Sequence, residues 1–319
     1  MTMDRKNLSK NIRCLIEAVE ACEELTPVRT RQLLEEATLS ASDLAPWADY
    51  DHPRTDSYGR RMLFDGGCFE LMVMSWAPGD MSAIHDHGFT QWGAVRLFGD
   101  AEHAMFKVSD GEMRTVERAV YPEGSVVAVS HDMVHQMGNR GDKPFLSLHL
   151  YGCYEREGDV TAEARLYELD RGEVCRTSGG VFFDLPESAV LRSEAGPKPD
   201  FPTWLRHQVA LLRRLTRAQG DAGGRRAAAV LEELTDAATW QRGRDAFAAL
   251  DGLTPDVAER RRRHFVQELR AAAELLLDLR RRGHASFDTA ALEASLRSEA
   301  ADFATALLEA MPQTEPVSA

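Results

Sequence analysis

The sequence predicts an α+β protein, with N-terminal helices, then a small antiparallel β-sandwich or barrel, then an all-α helical region. Three observations carry this. Apolar residues recur at helical spacing before residue 45. Short apolar runs broken by Gly, Pro, Asp and Asn fill residues 58 to 185. Beyond residue 200 the strand signals vanish and helical periodicity returns.

In chain order, Leu8, Ile12, Leu15, Ile16 and Val19 mark one apolar helix face, and Thr26–Pro27 supplies an N-cap followed by proline at the first helical position. The runs FELMVMSWAPG, GAVRLFG, GSVVAVS and FLSLHLYG have strand length and turn punctuation. No helix-length segment alternates with them, so an antiparallel sandwich or barrel is expected and a βαβ fold is not. Residues 186–200, PESAVLRSEAGPKPD, read as a linker, which divides the chain into a domain at 1–190 and a helical domain at 200–319. The segments WLRHQVALLRRL, RRAAAVLEEL, ERRRRHFVQELRAAAELLLDLRRR and ALEASLRSEAADFATALLEAM predict four or five helices, with Thr254–Pro255 as another helix start. Leu211, Leu212, Leu215, Leu231, Leu234, Phe265, Leu269, Leu276, Leu277 and Leu307 would form their core. That region is expected to cover one side of the barrel or to form a homodimer contact. PQTEPVSA reads as a frayed tail.

Composition restricts function. The chain has 319 residues, 44% of them hydrophobic and 28% charged, with net charge −13 and pI about 5.3. An acidic chain is a poor partner for nucleic acid or an anionic membrane, both of which need a basic face. No signal-type apolar core opens the chain, and no apolar run approaches a membrane span. Five cysteines without a CxxC pair argue against disulfide scaffolds and zinc fingers and fit a reducing cytoplasm.

The segment SAIHDHGFTQWGAVRLFG, residues 82 to 99, carries the chemistry. Side chains alternate along a strand, so His85 and His87 share a face and can share one metal ion, with Asp86 opposite. His135 lies 48 residues beyond His87, between two predicted strands, with His131 as a competing ligand. Three neutral imidazoles on one side of a metal leave positions open for substrate and oxygen.

These residues resemble the cupins. Gly79, His85-Asp86-His87 and Gly99 match the first cupin motif, and His135 with Asn139 matches the end of the second. The place of the motif's usual glutamate holds Gln91 and Trp92, neither a good ligand, so a three-histidine site is expected. A three-histidine cupin resembles the cysteine dioxygenase family. Ser147, His149 and Tyr151, at alternate positions of one strand, match that family's Ser-x-His-x-Tyr line, where the tyrosine hydroxyl lies near bound thiol and oxygen. YGRRMLFDGGCFELMVMSW resembles the segment whose arginine binds the substrate carboxylate, through Arg60 or Arg61. Family members carry cysteine or glycine at the position taken as Trp92. Here no cross-link to Tyr151 can form, and Trp92 is expected to clamp the substrate or to sit in the barrel core. Cys153 is taken as structural.

The resemblance implies an Fe(II)-dependent thiol dioxygenase with O2 as co-substrate, acting on cysteine or 3-mercaptopropionate to give a sulfinate. Nickel or cobalt would also accept three imidazoles. A decarboxylated, sulfonamide-type product is an alternative at the same site. A non-catalytic cupin sensor, using Arg260–Arg263 and Arg280–Arg282 to meet a protein partner, is a second class. Those arginines read more simply as solvated faces pairing with nearby acids. A sugar-phosphate isomerase-type cupin is disfavoured by the missing carboxylate. His207, His264 and His284 are not spaced as ligands.

Overall fold

The computed structural model describes residues 5–52, 57–155, 159–183, 185–217 and 221–281, with side chains at 216–224 and 275–281 left undescribed. Contacts divide the chain into two compact units, Met1–Lys198 and Pro199–Ala319.

The first unit opens with α1 (Lys10–Glu20), α2 (Pro27–Glu36) and the short α3 (Ala41–Leu44). Side chains cap the N-termini of the first two helices: Thr26 accepts from the Arg29 N–H, as the sequence suggests, and Ser9 from the Ile12 N–H, which it does not mark. The strands are β1 (Gly59–Asp65), β2 (Phe69–Trp76), β3 (Ile84–His85), β4 (Trp92–Leu97), β5 (Ala101–Ser109), β6 (Glu112–Tyr121), β7 (Val126–Ser130), β8 (Val134–Gly138), β9 (Phe145–Gly152), β10 (Ala164–Glu168), β11 (Glu173–Thr177), β12 (Val190–Ala195) and β13 (Lys198–Pro199). They form a five-stranded sheet ordered β1-β2-β9-β4-β7 and an eight-stranded sheet ordered β12-β11-β10-β3-β8-β5-β6-β13. The described strand pairs are antiparallel, as the absence of crossover helices requires. Two antiparallel sheets accompanied by helices match the antiparallel sandwich that the strand pattern predicts.

Part of the stretch read as a linker is β12, paired with β11. Most of its residues are exposed, so it shows no alternation of apolar and polar residues and looks like a linker in composition.

β2 and β9 are buried on both faces, and their residues sort by parity. Leu71, Val73, Leu146, Leu148 and Leu150 join an apolar cluster with Ile12, Ile16, Leu33 and Leu34 of the helices. Met72, Met74, His149 and Tyr151 line a cavity on the other face, toward which Ser147 also points by parity. Arg96 of β4 donates to the carbonyls of Leu34 and Ala37 and so closes the end of α2.

The second unit contains α4 (Phe201–Arg217), α5 (Asp221–Thr235), α6 (Ala237–Ala248) and α7 (Pro255–Arg281). The last begins at the Thr254–Pro255 signal. Leu211, Leu212, Leu215, Leu234, Phe265 and Leu269 are buried, and Leu231 is half-buried. The side chains of Leu276 and Leu277 and of Arg280 and Arg281, with the whole of Arg282, His284, Leu307 and the predicted helix over 291–311, lie outside what is described. Arg262 pairs with Asp251 and Arg263 with Glu259, as solvated faces do. Among the described residues no helix is long and apolar enough to cross a membrane.

Candidate metal centre

β3 is only two residues long, but it sits between β8 and β10 in the eight-stranded sheet. Its pairing sets His85 directly opposite His135. His87 follows at the start of the turn, where Gly88 takes φ +57°, and a Cβ there would lie 1.9 Å from the Ala162 carbonyl oxygen. Asp86, between the two histidines, is held by the backbone and guanidinium of Arg165.

His85, His87 and His135 each offer a nitrogen, all within 4.8 Å of one another, and could hold a metal ion. The three are buried. Burial holds all three neutral, pushing His85 down to about 4 against the pull of the Ala83 carbonyl and Asp86; His87 and His135 fall well below the usual imidazole range, where repulsion from neighbouring histidines adds to burial. Neutral imidazoles keep the lone pair that a cation needs. Their hydrogen bonds decide where it points. His85 Nδ1 donates to the Ala83 carbonyl at 2.8 Å, which leaves Nε2 as the lone-pair atom. That Nε2 lies 3.2 Å from His135 Nε2. Both nitrogens of His87 are buried without a hydrogen-bond partner among the described residues. Orphaned buried imidazole nitrogens beside two converging Nε2 atoms fit a cation better than an empty polar core.

His131 is exposed, and its Nδ1 meets the Thr90 carbonyl, so it is not part of the group. Gln91 is also exposed and accepts from the Tyr154 N–H, so no fourth side-chain ligand comes from that place. Asn139 instead clamps a turn, donating to the carbonyls of Trp76 and Lys143.

The histidines open on a cavity that also meets Tyr58, Arg60, Met72, Met74, Trp76, His149 and Tyr151. A buried chain runs along its wall. Trp76 Nε1 donates to Ser147 Oγ at 2.8 Å, Ser147 Oγ lies 2.7 Å from His149 Nε2, and His149 Nδ1 lies 2.7 Å from the Tyr151 hydroxyl. The Tyr151 ring centroid is 5.1 Å from that of His87. Burial lowers His149 to about 3 and raises Tyr151, so both are neutral at pH 7.

Arg60 and Arg61 are separated by strand parity. Arg60 lines the cavity and donates to Thr161 Oγ1 at 3.1 Å, whereas Arg61 pairs with Asp49 on the exposed side.

Trp92 does not reach the cavity. It pairs with Gly152 and packs in the apolar cluster under the helices. The residue against Tyr151 is Gly93, its direct partner on β9. A Cβ at Gly93 would lie 2.7 Å from Tyr151 Cδ1 and from the Leu150 carbonyl oxygen. The expected clamp is therefore a core residue, and the bare Gly93 makes room for the tyrosine. Cys153 is buried, with its Sγ toward the Cys68 carbonyl.

Sequence reasoning missed His103, whose Nε2 lies 2.8 Å from His135 Nδ1, and the part played by Trp76. Neither carries a motif. Only strand pairing brings them to the site.

Residues 9–154 match the family model described as cysteine dioxygenase type I. Curated relatives named cysteine dioxygenase type 1 include one from Bos taurus, 27% identical over 137 residues, or 41% of this chain and 67% of that one. The Homo sapiens protein is 26% identical over 143 residues (43% and 70%), and the Rattus norvegicus protein 28% over 152 (46% and 74%). Solved structures that align include an uncharacterized Klebsiella pneumoniae protein with a double-stranded beta-helix domain, at TM-score 0.29 and 15% identity over 37% of this chain and 90% of that one. An oxalate decarboxylase aligns at TM-score 0.26 and 22% identity over 30% of this chain and 26% of that one.

Proposed function

From the premise that the N-terminal unit is cysteine dioxygenase-like, we propose that it oxidises the sulfur of a small thiol carboxylate, cysteine first among them, with O2 to a sulfinate. His85, His87 and His135 would hold Fe(II), which when bound would favour the substrate thiolate at neutral pH and support the reaction with oxygen.

The chain's own residues do the rest. Arg60 offers two parallel donors to the substrate carboxylate, which sets the thiol's distance from the histidines. Met72, Met74 and Trp76 wall the cavity. The direction of the polar chain follows from its donors. Trp76 can only donate to Ser147 Oγ, and among the described residues the acceptor within reach of the buried Ser147 hydroxyl is His149 Nε2, so the Ser147 proton is assigned to that nitrogen. Neutral His149 then carries its proton on Nδ1 and donates it to Tyr151. The phenol's own O–H is left to donate to a reacting group beside His87.

The observation that carries this reading is the meeting, in one cavity, of three neutral imidazoles, one inward arginine and a tyrosine hydroxyl at the end of a buried chain. The test is anaerobic loading with Fe(II), addition of cysteine, 3-mercaptopropionate or homocysteine, then oxygen, with oxygen uptake and product mass followed. A gain of two oxygens on cysteine, lost in His87→Ala, supports the proposal. A product that has also lost carbon dioxide overturns the sulfinate and keeps the site. No uptake by iron-loaded protein with any of the thiols overturns the dioxygenase reading and favours a sensor.

A further inference from the structure

His135 has two ring nitrogens, and only one can face His85 and His87. Its Nε2 does so, 3.2 Å from His85 Nε2, while its Nδ1 lies 2.8 Å from Nε2 of His103 on β5. His103 is buried, and its ring edges against Tyr121 at 5.4 Å between centroids. The pairing of β5 with β8 sets Met105 opposite His135 and His103 opposite Met137, so His103 reaches its partner along one sheet face.

A neutral imidazole pair of this kind has two arrangements. In the first, His135 Nδ1–H donates to His103 Nε2 and the His135 lone pair sits on Nε2, where a cation can use it. In the second, His103 Nε2–H donates to His135 Nδ1, and the His135 proton sits on Nε2, pointing at His85. Only the first leaves three convergent lone pairs. It also leaves a proton on His103 Nδ1, which has no hydrogen-bond partner among the described residues. That cost is offset only when something binds the freed lone pair.

We propose that His103 is a positioning residue for a divalent metal held by His85, His87 and His135, accepting the His135 Nδ1 proton and so presenting Nε2 to the ion. This rests on the metal-centre reading above. By contrast His85 is oriented by a backbone carbonyl, which can only accept. Among the described residues, the His103–His135 link is thus a hydrogen bond that can hold its ligand in either tautomer. Outer partners of ligating histidines commonly matter by about 10- to 100-fold in metal affinity.

The experiment uses the full chain and Zn(II) as a diamagnetic probe, with affinity read by competition against a chromophoric chelator. His103→Leu should weaken Zn(II) binding about 10- to 100-fold, and His103→Gln, whose amide oxygen can accept the same proton, should recover most of the loss. A second measurement needs no variant. In zinc-loaded protein with 15N-labelled histidine, His135 should be protonated at Nδ1 and show scalar coupling across the hydrogen bond to His103 Nε2. Wild-type affinity in His103→Leu, or a His135 Nδ1 without a proton in the loaded protein, overturns the role of His103 and spares the metal centre. Wild-type protein that binds neither Zn(II) nor Co(II) overturns the metal centre, and this inference with it.

Discussion

Tyr151 holds its hydroxyl 2.7 Å from His149 Nδ1, two residues back on the same strand, and its ring 5.1 Å from that of His87. Because the chain from Trp76 is directed toward Tyr151, removing the hydroxyl takes away a donor at the reacting end without touching the three histidines. Tyr151→Phe should keep wild-type metal content and lose about 10- to 100-fold in oxygen uptake with cysteine. It should also lower stability by about 1–3 kcal/mol, because the His149 Nδ1–H loses its acceptor. Metal analysis, an oxygen electrode and denaturant unfolding check the three parts. Full activity in the phenylalanine variant would remove Tyr151 from the mechanism.

Arg60 and Arg61 are neighbours with opposite surroundings. Arg60→Gln should raise KM for cysteine by at least about 30-fold, equivalent to about 2 kcal/mol. Arg61→Gln, which breaks an exposed pair with Asp49, should change KM by less than about twofold. Cysteamine, a thiol without the carboxylate, is the control. Its oxidation, however slow, should be insensitive to Arg60→Gln. An equal loss with both thiols would mean that Arg60 supports the wall of the site and not the substrate.

The site was legible where the chain itself carries the spacing. Ser147, His149 and Tyr151 share a face of β9 by strand alternation, which a sequence shows directly; the His-x-His spacing marks His85 and His87, although His87 lies past the end of β3 in the turn. What was not legible depends on register between strands. The choice of Arg60 over Arg61 needs the pairing of β1 with β2. His103 and Trp76 reach the site only through β5 against β8 and β2 against β9. β12 was hidden because an exposed edge strand with polar residues on both faces has the composition of a linker.

Trp92 and Gly93 show how one residue of register reverses a role. Trp92 faces the helices, so Trp92→Ala should destabilise the unit by about 3–5 kcal/mol and leave KM for cysteine unchanged in the folded fraction. Gly93→Ala should cost stability too but, unlike the Trp92 variant, should also disturb the site. Its new methyl would lie 2.7 Å from both the Tyr151 ring and the Leu150 backbone, so the tyrosine must move. Activity should fall about 10-fold or more for a shift in the tyrosine of a few tenths of an ångström. Steady-state kinetics beside thermal unfolding separates the two. A KM change in the Trp92 variant would restore the clamp.

Glu70 tests the barrel's electrostatics apart from the histidines. It faces inward, opposite Tyr151, at 1% exposure. One oxygen accepts from the Val160 N–H at 3.0 Å, and the other is buried without a hydrogen-bond partner among the described residues. Burial raises its pKa above 4.5, while the Val160 bond and the Arg60 charge pull the other way. The folded state therefore binds the proton more tightly than the unfolded chain does. Stability should fall as pH rises from about 4.5, and level off once the folded carboxyl is ionised. Glu70→Gln keeps an acceptor for Val160 and removes the charge. The new amide N–H₂ adds a cost that does not vary with pH, so the informative quantity is the difference in Tm between wild type and variant across pH. That difference should shift in the variant's favour between pH 4 and pH 7, at about 2–4 °C for each kcal/mol of burial penalty removed. Parallel Tm curves for the two proteins over that range would show that Glu70 is not ionised against its burial, and that its second oxygen has found a partner.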